Sequence, residues 1–147
     1  MDVRENIVQE LHKRMSEVPG TQIVLRNPKT EPTTDDLNCI SIFELGDPVK
    51  QVSTRGGIPY YIRNLNVIIE AMIRSDTEGG SSPELIAYVK ELKKKLYEGG
   101  ISLGGTCDLF VEIDSSQILR PPIGGNAAGI GISLNITYKE DIRAYFT

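Results

Sequence analysis

The chain of 147 residues has no tryptophan, one histidine and two cysteines. The single histidine, His12, sits beside Lys13 and Arg14 on an early helical pattern, where a solvent-exposed side chain is expected rather than a general base. Cys39 and Cys107 lie far apart, with no second Cys or His at metal-ligand spacing. Neither a disulfide scaffold nor a zinc site is indicated, and both read as buried thiols. Positive charge is in deficit, with 16 Lys and Arg against 20 Asp and Glu and a pI near 5.1. That argues against a function whose affinity comes from neutralising nucleic-acid phosphates, although a local basic patch stays compatible with it.

Other absences narrow the field further. No apolar run is long enough to span a bilayer, and the opening MDVRENIVQELHKR is charged and amphipathic rather than signal-like, so synthesis in the cytosol without a membrane role is expected. There is no GxSxG elbow, and STRGG lacks the lysine and spacing of a phosphate-cradling loop. GIGISL begins like a dinucleotide fingerprint but lacks the third glycine and the following helix. NIT is a glycosylation site only in a secreted chain. No catalytic cluster, cofactor or metal set emerges.

What is present is periodicity. Val3, Ile7, Leu11, Met15 and Val18 recur at helical spacing until VPG stops them, which predicts a helix over 1–18. Residues 21–36 are rich in Pro, Thr and Asp and read as an irregular connection. CISIFEL is a strand with apolar residues on both faces, and GDPVKQVSTRGGIP is a turn-rich excursion with room for a short hairpin. Leu65, Val67, Ile69, Ala71 and Ile73 alternate with polar residues as a long half-buried strand. Ser82 and Pro83 open a second helix striped by Leu85, Val89, Leu92 and Leu96, and EGG closes it. Its lysines, Lys90, Lys93, Lys94 and Lys95, read as a solvated face.

In CDLFVEID, the alternation predicts Cys107, Leu109, Val111 and Ile113 inward, with Asp108, Phe110, Glu112 and Asp114 outward. Three acids on one face could bind a cation, present negative charge to DNA passing through a lumen, or form a solvated sheet face. Phe110 among them predicts a partner surface. From Ala128 the last strand points Ile130, Ile132, Leu134, Ile136 and Tyr138 one way, and Gly129, Gly131, Ser133 and Asn135 the other. Its small face invites close approach of a backbone, a neighbouring subunit or the first helix. The expected fold is a single α+β domain: a mostly antiparallel β-sheet of about four to five strands with two helices packed on it.

A leading helix, the strand YYIRNLNVIIEAMIRS, a middle helix, GGTCDLFVEI and the closing GIGISLNITYKED together resemble the tail terminator or tail completion proteins of tailed bacteriophages. The resemblance lies in element order, size and closing strand from about Cys39 onward. It implies a non-catalytic structural virion protein at the tail-neck junction: a homo-hexameric ring that caps the tail tube protein, stops polymerisation and docks neck and head-completion proteins. The tail sheath is a further possible partner in a contractile tail, and DNA only passes through the lumen. A head-tail adaptor or tail tube subunit is the alternative within this class, and a small ligand-binding or enzymatic domain the alternative outside it.

Two segments are expected to make contacts. The excursion presents Arg55, Tyr60 and Tyr61, of residue types enriched where binding energy concentrates. The end of the chain, 139–147, alternates Ile142, Ala144 and Phe146 with Arg143 and Tyr145, which predicts a C-terminal arm able to add a strand to a partner's sheet.

Overall fold

The computed structural model describes residues 2–29, 38–74, 81–118 and 127–146. Two helices cover one face of a six-stranded, mostly antiparallel sheet in a single α+β domain. The first helix, α1, spans Val3–Ser16, with the Asp2 side chain accepting from the Glu5 backbone N–H and supplying the N-cap. Its stripe Ile7, Leu11 and Met15 is fully buried. The strand β1, Ile23–Arg26, runs parallel to β2, Cys39–Gly46. β3, Val49–Arg55, and β4, Ile58–Arg74, form a hairpin closed by Gly56 and Gly57, both at positive φ. That two-residue loop is the turn that matches strand twist, and only glycine takes it without strain. The second helix, α2, is Ser81–Leu96, followed by β5, Leu109–Ile118, and β6, Ala127–Asp141.

The strand order is β1-β2-β4-β6-β5. β4 is long enough to serve two partners on one edge: β2 along residues 66–72 and β3 along 58–63. Its other edge pairs with β6 from Tyr60 opposite Asp141 to Arg74 opposite Ala127. Side chains alternate across this frame, so Leu65, Val67, Ile69, Ala71 and Ile73 of β4 join Ile132, Leu134 and Ile136 of β6 in one core with both helices. Leu85, Tyr88, Val89, Leu92 and Leu96 supply the α2 side of that core.

The helices are also tied together by charge. Arg14 of α1, 7% exposed, donates from Nη1 to the backbone carbonyls of Lys95, Leu96 and Glu98 at 3.3, 3.1 and 2.8 Å. One guanidinium thus caps carbonyls that the end of α2 would leave bare.

Four expectations are corrected. The sheet has six strands rather than four or five, because the excursion contributes β3 and the supposed irregular segment 21–36 contains β1. The rest of that segment, from residue 30, lies outside the described residues. β1 escapes a periodicity search because it has only four residues and borrows its register from β2. The end of the chain is no strand arm: β6 runs to Asp141, and Ile142–Tyr145 is a 3-10 turn. The Asp141 carboxylate starts it by accepting from the Arg143 backbone N–H.

The fourth correction concerns β5, whose faces are inverted. Phe110 is buried at 1% exposure, whereas Leu109, Val111 and Ile113 are 38, 47 and 61% exposed. Tyr97, just past α2, packs its ring against Phe110 at 5.0 Å, and the Phe110 backbone N–H donates to the Ile101 carbonyl. Those contacts choose the face, and a large ring buried against another outweighs the three aliphatic side chains.

Candidate functional site

The face of the sheet away from both helices is the candidate site. On it β6 places Gly129, Gly131, Ser133 and Asn135, paired across to Met72, Glu70, Ile68 and Asn66 of β4. Both glycines are buried, and Ser133 and Asn135 half-buried. Neither helix packs there, so the close approach of α1 entertained for the small-residue face is not made. The Asn135 Oδ1 atom is buried with no hydrogen-bond partner. Beside it runs β5, whose Leu109 and Val111 pair with Thr137 and Asn135. β5 is the last strand in the sheet order, so among the described residues this apolar row lies along an edge that no further strand pairs.

The three acids of β5 do not form one wall. Asp108 is exposed ahead of the strand, with its carboxylate 3.8 Å from Lys139 Nζ. Glu112 turns to the helix side, where Lys93 Nζ and the Tyr97 hydroxyl donate to it at 3.1 and 2.8 Å. A bulge between Glu112 and Asp114 then brings Asp114 opposite Ser133 on the open face. Burial, and after it the Glu112 carboxylate, pushes the Tyr97 hydroxyl up to about 12.

Further along the same face, three residues singled out separately in the sequence meet. Arg55 at the end of β3, Tyr60 in β4 and Arg143 in the 3-10 turn line one cavity of about 210 Å³ together with Ile58, Pro59, Lys139 and Asp141. Asp141 holds Arg143 through its Nε at 2.9 Å, and this pairing pulls the carboxyl down to about 2. Lys139 and Asp141 were missed, although the alternation that singles out Ser133 and Asn135 reaches them two residues at a time. Tyr61, the neighbour of Tyr60, faces the other side of the sheet and lies 5.8 Å from the Arg63 guanidinium. Ile142 is half-buried, and Phe146 is 64% exposed.

On the helix side a second cleft, of about 790 Å³, is lined by Asp2, Arg4, Asp47, Arg63, Tyr138, Glu140 and Tyr145 among others. Its charges are spent on one another. Arg63 donates to Glu140 at 2.9 Å and to the Asp47 carbonyl at 2.7 Å, and the Tyr138 hydroxyl donates to the Asp47 carboxylate. Burial and that carboxylate raise the Tyr138 pKa, so the phenol stays protonated and acts as a clasp rather than a base. Arg26 continues the lattice, bonding Glu5 at 2.7 Å and Glu44 at 2.8 Å. This network ties α1 to β1 and β2, and the sequence gives no local signal for it because its partners lie far apart along the chain.

His12 is half-buried on α1, away from the open face. Both cysteines are buried, and burial raises the Cys107 thiol to about 11, which makes it a poor nucleophile. Among the described residues no group of three or more His, Cys, Asp or Glu side chains could hold a metal ion, and no helix is long and apolar enough to cross a membrane. The stretch RPPIGG, residues 120–125, lies outside the described residues. No family model matches the chain, and no curated protein matches it either.

Proposed function

We propose that the chain is a ring-forming structural protein of the tail terminator type, which assembles as a homo-hexamer on a phage tail tube, ends its growth and offers the neck a docking surface. A closed head-to-tail ring requires two different patches on each protomer. The open face and edge strand β5 supply one, and the β3–β4 hairpin, with Val49 and Val52 at 42 and 57% exposure on one side and Arg55 on the other, supplies the other. The observation that carries the reading is the exposed row Leu109, Val111 and Ile113 on the edge strand. β-Branched and leucine side chains along an unpaired strand edge are a template for another chain, and a monomer gains nothing by displaying them. In this reading the mature location is the virion, and DNA passes through without being recognised.

The test is mass by light scattering behind a sizing column, across protein concentration, with and without tail tube protein. A discrete species near six protomers, or a monomer that becomes one only with tube protein, is the expected result. Unlimited polymerisation of the chain alone would make it a tube subunit instead. A monomer indifferent to tube protein would overturn the ring altogether.

A further inference from the structure

The geometry points to a carboxylate-binding pocket on the open face, in which Arg55, Lys139 and Arg143 receive an acidic side chain of a protein partner seated beside an apolar one. The site does not depend on ring formation. Its cavity of about 210 Å³ is walled by Ile58, Pro59 and Tyr60 and carries three cations against one carboxylate, Asp141, in a chain of net charge −4. A local excess of this sign in an acidic protein concentrates anions where the rest of the surface repels them.

The three cations are not equivalent. Arg143 is held by Asp141 through Nε and the backbone N–H, so it is positioned but largely satisfied. Lys139 has one loose partner, Asp108, at 3.8 Å, with 55% of its own side chain exposed. Arg55 makes no hydrogen bond or ion pair within the described residues, and its one electrostatic interaction there is with Asp141, already committed to Arg143. A guanidinium that lines a concave site and makes no hydrogen bond or ion pair among the described residues presents a planar donor fork that matches a carboxylate two bonds at a time.

Two features favour a protein carboxylate over a nucleic-acid phosphate. Ile58, Pro59 and Tyr60 line the cavity along with the cations, which suits the methylenes and neighbouring side chain of an acidic peptide. Asp108 and Asp141 flank the cations, so a polyanion extending past the pocket meets like charge on either side.

The experiment is nuclear magnetic resonance of the isotope-labelled full chain titrated with blocked Glu-Leu dipeptide, and in parallel with blocked Gln-Leu dipeptide and with inorganic phosphate. Saturable shifts at the Arg55 and Arg143 side-chain Nε–Hε groups and the backbone around 58–60 and 139–143 are expected with Glu-Leu. Gln-Leu should bind about tenfold or more weakly, the difference a charge-assisted pair makes. Arg55→Gln and Lys139→Gln should each abolish saturation while leaving the remaining spectrum unchanged. Equal binding of both dipeptides would overturn the proposal in favour of an apolar groove, phosphate binding as tight as Glu-Leu would reduce it to a general anion site, and absence of localised shifts would remove the site. The comparison of the two dipeptides on the unmodified chain keeps the outcome decisive even if a variant is perturbed.

Discussion

The two faces of the sheet are built from the same strands yet obey different rules. On the covered face Leu65, Ile69, Ile132, Leu134 and Ile136 are fully buried beneath α1 and α2. On the open face their immediate neighbours are Asn64, Asn66, Ser133, Asn135 and Thr137, with Leu109 and Val111 exposed at the edge. Buried polar groups do not sort by face: Arg14 on the covered side meets three carbonyls, whereas Asp47 Oδ1 in the helix-side cleft and Asn135 Oδ1 on the open face have no hydrogen-bond partner among the described residues. The fully buried aliphatic side chains, by contrast, are concentrated on the covered face.

The sharpest way to break that contrast is matched truncation. Leu134→Ala should cost about 2–5 kcal/mol in urea unfolding, since it opens a cavity in a packed core. Val111→Ala should stay within about 0.5 kcal/mol, as surface changes do. A loss at Val111 as large as that at Leu134, and growing with protein concentration, would mean the open face is covered by another copy during the measurement.

Next in size is the cap across the helices. Arg14→Met keeps much of the aliphatic stem but strips the Leu96 and Glu98 carbonyls of this donor and leaves Lys95 only its bond from the Glu98 N–H, so a loss of about 2–3 kcal/mol is expected. An unchanged denaturation midpoint would show that water reaches those carbonyls.

The lattice on the helix side makes a pH prediction. Hydrogen bonding from Arg26, the leading cause, lowers the Glu44 pKa below its ordinary 4.5. A depressed carboxyl stabilises the fold above its unfolded pKa, and that contribution is lost as pH falls through the folded value. Stability should therefore decline on acidification below about pH 4.5, and Glu44→Gln should flatten that decline. An identical acid slope in the variant would place the loss elsewhere. The smallest effect expected is a gain: Asn135→Val removes an unsatisfied buried oxygen and should stabilise the monomer by up to about 1 kcal/mol in the same urea assay. Destabilisation would mean that the Asn135 amide holds a water or partner on the open face.

Much of the frame was legible locally. The stripes of α1 and α2, the alternation of β4 and β6, and the Gly56–Gly57 hairpin are each encoded within a few residues of themselves. The candidate site was legible in pieces: Arg55, Tyr60 and Arg143 stood out singly, but their convergence depends on β6 lying against the first residues of β4. β5 was misread because its alternation supplies apolar residues to both faces, Phe110 on one and Leu109, Val111 and Ile113 on the other. Periodicity finds such a strand but cannot orient it.

By itself, then, the sequence determined which segments become helix or strand and which stripe of most of them is buried, because these follow from spacing and from short-range steric and capping rules. Tertiary structure alone decided the inward face of β5, the existence of β1, and the meeting of Arg55, Lys139 and Arg143 around one cavity. Each of those depends on contacts between residues distant in the chain, where packing of large rings, strand register and the partnering of charges outweigh any local preference.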